Sequence, residues 1–579
     1  MPQSAQDPGP ATAPTTLPEL LAATARAHGD APATDVLGET VGYRTLAGRV
    51  ERAAAGLADL GVGHGDRVAL VLPNCSAWVI TAFAVWRLGG ILVAHHPESR
   101  DRELRHLFED HGADVAVVWN RVADRVERLP EDARPRHLVT VSLTEDLSLR
   151  RRLALRLPTA AAHRRREALG AGPAPRGSTS FPRLLARGGE AGPAAALRAI
   201  TPPEPDHAAV LQYTGGTTGA PMGAVLRHRN LVANVAQARA VLPELPPGTA
   251  AYGVLSFGHA WGLTLSLLVP LGAGARLVLF PSVDTDDILR AQARVPMEYL
   301  AVVPPLLDRL AAAAEAEDER FDAVRVALAG GTALPDRVRR RWSRIANGSL
   351  VEGYGLSEAS PLVLAGAADG DVAPGVAGRP VPGTSIRVVD RDDPRRDAAG
   401  GPGELLVRGP QVFTGYWKKH TATRQVLLEG GWLRTGDIVT VDEDDVVTVV
   451  DRVKDVIVSD GQAVTPSEVE AVLRGHQGVA DAAVVGLLSV AGSEEVVAVV
   501  VMEEHARFRE DTLRAWCARR LAPWKVPRRI VAQDALPTDA LGAVNRRALR
   551  HQLVELSFTG RLPVAGRSAG EGERRPRRR

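Results

Sequence analysis

Lysine is nearly missing from this chain. Of the 70 basic residues in 579, only Lys418, Lys419, Lys454 and Lys525 are lysine; the other 66 are arginine. Cysteine is scarcer still. Cys75 and Cys517 lie far apart in sequence, which excludes a disulfide framework and a cysteine zinc site and points to a reducing compartment. Net charge is almost absent at +2, so no global field calls for nucleic acid. Long apolar runs are absent too. Ala77–Trp86 stops at Arg87, and Ala260–Ala275 is broken by Pro270 and three glycines. Neither reaches the ~20 residues that span a bilayer. Met1 to Leu17 has no basic start and no apolar run, unlike a secretory signal. A cytoplasmic protein with at most peripheral membrane contact is expected.

What is present is the composition of a soluble globular protein, 45% hydrophobic and 24% charged. At ~100–200 residues per domain the length implies more than one domain. Residues 1–16 read as a disordered lead, and Leu17–Leu60 carries helical periodicity. Then Arg67–Pro73, Ile91–Ala94 and Asp114–Trp119 read as short buried strands, with helices over Ser76–Leu88 and Asp101–His111 between them. This alternation predicts an α/β fold with a largely parallel sheet. Residues 145–205 break the pattern and read as a surface excursion and linker. Within them Leu147–Arg166 interleaves Leu with Arg around Pro158, a pattern compatible with a solvated face or with contact to an anionic membrane. The alternation resumes at His207 and runs to about 450. Residues 451–555 read as a smaller α+β domain, and 556–579 as a disordered Arg-rich tail.

The predicted strand His207–Gln212 leads into Tyr213-Thr214-Gly215-Gly216-Thr217-Thr218-Gly219-Ala220-Pro221-Met222-Gly223. Glycines let such a loop curl so that backbone N–H groups and Thr hydroxyls face an anion, most often phosphate. No Gly-Lys-Ser/Thr follows, so it is not a Walker loop. Four further segments follow in order: Gly330-Gly331-Thr332-Ala333, Tyr354-Gly355-Leu356-Ser357-Glu358, Trp432-Leu433-Arg434-Thr435-Gly436-Asp437 and Asp451-Arg452-Val453-Lys454-Asp455.

Together these five segments resemble the acyl-adenylate-forming superfamily of acyl-CoA synthetases, adenylation domains and luciferases, over roughly residues 20–555. Val254–Leu263 with His259, and Arg276–Phe280, look most like the long-chain acyl-CoA synthetases. The resemblance implies a large N-terminal domain (17–450) and a small mobile C-terminal α+β domain (451–555). It also assigns roles. Thr214, Gly215, Gly216, Thr217, Thr218 and Gly219 would hold phosphate. Gly330, Gly331, Thr332, Tyr354, Gly355 and Ser357 would form the adenine side. Glu358 would bind Mg²⁺ as a hard oxygen ligand. Asp437 would accept the ribose hydroxyls, and Arg452 would add a charge-assisted contact. His259 would lie near the acyl carbonyl, or else be a hydrogen-bonded residue at a helix start. Lys454 would be the hinge, and the Gly461 loop would line the path of the CoA thiol.

Two lysines that the family pattern implies are missing. Met222 stands at the end of the phosphate loop, and Ala543 stands where the resemblance places the lysine that bridges carboxylate and α-phosphate during adenylation. Elsewhere the chain writes Arg for Lys and keeps the charge; here the charge is gone. Losing one oxyanion-type donor costs ~10²–10³ in rate. The resemblance also implies that the C-terminal domain rotates about its hinge between the two half-reactions and takes residue 543 out of the site, so that thioester formation from acyl-AMP and CoA would need no cation there. The expectation is therefore a ligase homologue that makes acyl-CoA and AMP from preformed acyl-AMP supplied by a separate adenylating enzyme, with ATP and Mg²⁺ used only if adenylation persists. The alternatives are a complete ATP-dependent acyl-CoA synthetase, with Arg546 or Arg547 as substitute cation, a non-catalytic nucleotide- or acyl-binding homologue, and an acceptor other than CoA.

Overall fold

The computed structural model describes residues 13–558, except 171, 173, 215–220, 368–375, 391–392, 399–400, 453–454, 456, 460–461, 465, 489–493, 539–541 and 543. The chain divides into two units. One runs to Arg387 and takes in Leu406–Thr435 and Val441–Thr448; the other takes Val388–Leu405, Gly436–Thr440 and the chain from Val449 onward. The second unit thus draws on two segments well before residue 450.

The first unit is built on two sheets. In one, the order is Thr179–Ser180, His137–Val141, Val115–Trp119, Arg67–Val71, Ile91–His95, Ala208–Thr214 and Met222–Arg227. All neighbours are parallel except the last pair. Its central strands are almost wholly buried, which is why they read as unbroken apolar runs. The other sheet carries Pro32–Val36, Arg276–Leu279, Ala250–Gly253, Tyr299–Val302, Val326–Gly330 and Ser349–Gly355 as parallel neighbours. Helix Ser76–Arg87 is buried from Ser76 to Trp86, so its apolar run belongs to a core helix, not a membrane one. No helix among the described residues is long and apolar enough to cross a membrane.

Four expectations are revised. The helical reading of Leu17–Leu60 splits into helices Leu17–Ala27 and Tyr43–Asp59 around the hairpin Pro32–Val36/Glu39–Gly42. Leu37 and Gly38 turn it with φ of 52° and 87°, the left-handed pair of a tight hairpin. The expected lead ends early: buried Thr16 caps the first helix in a reciprocal box with Glu19. Part of the expected linker is packed structure. Helix Phe181–Gly188 buries Phe181 and Leu184 against helix Tyr43–Asp59. A Cβ on Gly188 would overlap the Arg52 carbonyl, and one on Gly56 would crowd the Leu184 carbonyl. These glycines permit the close approach of the two backbones. At the other end, helix Arg546–Phe558 extends past residue 555. Residues 1–12 and 559–579 lie outside the described part.

The second unit has a three-stranded sheet with Glu494–Met502 in the middle, antiparallel to Val479–Leu488 and parallel to Arg529–Ala532. Alternate side chains sort to its two faces. Ala482, Val484, Ala498 and Val500 pack with Val469, Leu473 and Leu513. Ala483, Val485, Val497 and Val499 pack with Leu549 and Leu553 of the last helix.

Candidate functional site

In the first unit several expected site residues gather beyond strand ends, where open α/β sheets bind ligands. Strands Ala208–Thr214 and Met222–Arg227 form a hairpin with Tyr213 opposite Gly223 and Thr214 opposite Met222. The chain between them, Gly215, Gly216, Thr217, Thr218 and Gly219 included, lies outside the described residues. Thr214 and Met222 therefore mark the two feet of the glycine loop. Turn Ser357–Ala359 lies against both hairpin strands and carries Glu358.

Glu358 is held from a third direction. Gly415–Trp417 runs beside strand Met222–Arg227, with the Val225 N–H donating to Gly415 O (2.9 Å) and the Trp417 N–H to Gly223 O (2.7 Å). This brings the Tyr416 hydroxyl 2.6 Å from Glu358 Oε1, to which it donates. Burial, then the neighbouring carboxylate, raise the Tyr416 pKa, so the phenol stays a donor. No signal in the sequence reading pointed to Tyr416. Among the described residues no three His, Cys, Asp or Glu side chains could hold a metal. A Mg²⁺ at Glu358 would take its other ligands from phosphate and water, as this ion commonly does.

The adenine-side glycines also come together. Gly330 pairs with Gly353 across parallel strands. A Cβ on Gly330 would overlap the Trp261 ring and the Gly353 carbonyl, and one on Gly355 would overlap the Pro361 carbonyl. Gly331 follows with φ 85°, and Thr332 and Tyr354 are half-buried. Just beneath, Glu352 pairs with Arg339. Burial pushes the Glu352 carboxyl up to about 6, against the pull of Arg339.

His259 is half-buried and precedes the helix that carries Trp261. Its N–H donates to Ser256 O (3.0 Å), and its carbonyl accepts from the Leu263 N–H (2.8 Å). The backbone is thus that of a helix start, and the Trp261 ring of that helix reaches the glycine pair. Gln212, buried in the preceding strand, donates to Gly258 O (2.7 Å) and ties this turn to the hairpin.

A buried aromatic group sits at the foot of Tyr213. The Tyr213 hydroxyl donates to Asp110 Oδ2 (2.6 Å). Its ring lies 5.7 Å from that of His95, and His95 Nε2 faces His111 Nε2 at 3.1 Å. Burial pushes His95 down to about 3. It also lowers His111 well below 6.5, assisted by His95, Arg67 and Lys418. Both rings are therefore neutral at pH 7.

In the second unit, buried Asp437 follows Gly436, whose φ is 73° and whose N–H donates to Glu404 Oε1 (3.2 Å). Arg452 ends strand Val447–Arg452. Lys454, Gly461 and Ala543 lie outside the described residues. The flanks of Gly461 form a hairpin, with Ser459 opposite Gln462. Thr538 and Val544 form a bridge just before and after the 539–543 stretch.

Of the two residues expected as substitute cations, Arg546 is already engaged, and the Arg547 side chain lies outside the described part. Arg546 Nη2 lies 2.7 Å from Glu470 Oε1, and Nη1 lies 3.7 Å from Asp455 Oδ2; the two carboxylate side chains are only 5% and 8% exposed. The described lysines are engaged as well. Lys525 binds both Glu468 oxygens (2.8 and 2.6 Å), Lys418 donates to Asp110 O (2.7 Å), and Lys419 pairs with Asp110 (3.7 Å).

Comparison with known proteins points one way. The family model for AMP-binding enzymes matches residues 21–417, and that for the AMP-binding enzyme C-terminal domain matches 468–543. A long-chain-fatty-acid–CoA ligase of Escherichia coli O157:H7 is 34% identical over 535 residues, covering 91% of this chain and 92% of that one. Its counterpart in Bacillus subtilis (strain 168) is 30% identical over 553 residues, covering 93% and 95%. ATP-bound MatB from Rhodopseudomonas palustris has a TM-score of 0.77 at 26% identity, covering 93% of this chain and 99% of that one. The anthranilate CoA ligase AuaEII, solved with anthranoyl-AMP, shares the fold with a TM-score of 0.77 at 21% identity, covering 93% and 97%.

Proposed function

This chain belongs to the family of AMP-binding enzymes, and on that premise we propose that it is an acyl-CoA ligase for a long apolar acid, working with ATP, Mg²⁺ and CoA. In the first step a carboxylate oxygen attacks the α-phosphorus of ATP and pyrophosphate leaves. In the second the CoA sulfur, having lost its proton, attacks the acyl carbonyl carbon and AMP leaves. Mg²⁺ would neutralise phosphate charge in the first step. Thr214 and the loop it opens would hold the phosphates, Glu358 with Tyr416 would orient the ion, and the Gly330/Gly353 surface would leave room for the base. The observation that carries this reading is the convergence of Thr214, Glu358 and the Gly330/Gly353 pair at strand ends of one unit. The long-chain-fatty-acid relatives support the complete reaction and the acyl class.

A second reading is favoured by a specific deficit. Met222 and Ala543 bring no cation, and Arg546 is committed to Glu470 and Asp455. Without a positioned cation the first step loses ~10²–10³ in rate, whereas the second is spared. In the limit the protein uses only acyl-AMP made elsewhere. The test follows acyl-CoA by mass spectrometry in two mixtures, one with acid, ATP, Mg²⁺ and CoA and one with synthetic acyl-AMP and CoA. Product in both supports the complete ligase. Product only from acyl-AMP moves the protein to the second reading, and product in neither refutes both.

A further inference from the structure

Seven large apolar side chains stand exposed among the described residues, and three of them fall within nine positions: Leu149 (73% exposed), Leu153 (51%) and Leu157 (55%). Helix Leu149–Ala154 and the turns that continue it place these three at successive i, i+4 positions. The Leu155, Arg156 and Leu157 N–H groups donate to the carbonyls of Arg151, Leu153 and Ala154. Leu149 and Leu153, four apart, share one face of the helix, and the turns carry exposed Leu157 just past its end. The segment is not loosely attached. Leu147, Leu155 and Leu169 from the same stretch are buried, so it is fixed by one set of leucines and presents another outward.

The charge within this segment has one sign. Residues 147–166 hold seven arginines and no Asp or Glu. Arg151 pairs with Glu39 (3.6 Å) and Arg152 donates to Leu147 O (2.8 Å). Arg150, Arg156 and Arg164 are exposed and make no ion pair among the described residues. An outward leucine row flanked by unpaired arginines is the chemistry of a helix lying in the headgroup layer of an anionic bilayer. A nucleic acid would match the arginines and leave the leucines unused.

We propose that Leu149, Leu153 and Leu157, with Arg150, Arg156 and Arg164, dock the protein on the surface of a membrane containing anionic lipid. The leucines enter the acyl boundary and the arginines meet lipid phosphates. This inference stands on the surface of residues 147–166 and does not depend on the acid that the enzyme uses.

The test is co-sedimentation of the full chain with vesicles of phosphatidylcholine alone, or with about a third phosphatidylglycerol. Binding is expected to the mixed vesicles and to be at least about tenfold weaker on pure phosphatidylcholine. Replacing the leucines together (L149S, L153S, L157S) is expected to weaken binding at least about 30-fold. Replacing the arginines (R150Q, R156Q, R164Q), at about fivefold each, is expected to weaken it about 100-fold and flatten its dependence on salt. Both variants should melt with the wild type, because they alter exposed side chains. The proposal is overturned by absence of binding to mixed vesicles, or by a leucine variant that binds them like the wild type. It is also overturned if the leucine row proves to join two copies of the chain, seen as a lipid-free dimer that the leucine variant dissociates. Duplex DNA retained as strongly as vesicles, with no dependence on the leucines, overturns it as well.

Discussion

Replacing Arg546 by Ala separates a structural cation from a catalytic one. Its guanidinium bridges two nearly buried carboxylates, Glu470 at 2.7 Å and Asp455 at 3.7 Å. Breaking a buried ion pair from one side costs about 3–5 kcal/mol, because a buried charge is left uncompensated. Here partners remain. Glu470 keeps Arg474 (3.4 Å) and the Val484 N–H (2.9 Å), and Asp455 keeps Arg550 (3.4 Å). The low end, about 3 kcal/mol, is therefore expected. On a unit of about 150 residues, 1 kcal/mol moves the midpoint by about 2–4 °C, so R546A should lower the melting of the second unit by about 6–12 °C. Thermal unfolding of the full chain followed by circular dichroism measures this. Below the new midpoint, the rates from ATP and from acyl-AMP should fall by a common factor. A variant that melts like the wild type and loses only the ATP-dependent rate would refute the reasoning and make Arg546 the adenylation cation.

Tyr416→Phe removes the donor on Glu358. The ATP- and Mg²⁺-dependent rate should fall about tenfold, on the scale of a hydrogen bond to a charged group. The rate from acyl-AMP, measured in parallel, should change much less. Gly330→Ala forces a methyl group into the Trp261 ring and the Gly353 carbonyl. Calorimetry should show weaker AMP binding, and unfolding should show a loss of about 1–3 kcal/mol. The third case is pH. Burial holds His95 at about 3 in the fold, below its unfolded value of about 6.5. The unfolded chain then binds more protons between those values, so stability is complete above pH 6.5 and falls as pH drops. By pH 4.5 this histidine should have removed about 2–3 kcal/mol. Denaturant titrations at pH 7 and 4.5 should show a smaller loss in His95→Gln than in the wild type.

The parts of the site written in short stretches of sequence were legible, and those made by distant pairing were not. The glycine and threonine loop, Gly330-Gly331 and Tyr354–Glu358 can each be picked out locally, and the structure places Thr214 and Gly330 at strand ends and Glu358 in the turn after a strand, all in one unit. Tyr416 lies 58 residues from Glu358, and distant pairing brings the two together: Gly415–Trp417 runs beside strand Met222–Arg227, and the Phe413 N–H donates to Glu358 O (2.8 Å). Arg546 could be read as one of a basic pair, but Glu470, 76 residues away, decides what it does. Composition misled at Phe181–Gly188. Its Gly, Pro and Ala neighbours suggest a linker, yet Gly188 and Gly56 are small because two helices touch there. The hairpin after Pro32 was hidden for another reason. Its strands are only five and four residues long, and their apolar positions blend with the helical spacing on either side.

The most direct test is the ratio of two initial rates on one preparation: acyl-CoA formed from synthetic long-chain acyl-AMP and CoA, over acyl-CoA formed from the acid, ATP, Mg²⁺ and CoA. The proposed deficit predicts product from both mixtures, with the acyl-AMP rate up to about 10²–10³ times the other, since neither Met222 nor Ala543 can itself supply a cation to adenylation. Equal rates would contradict the cation argument, and no acyl-CoA from either mixture would contradict the ligase assignment itself.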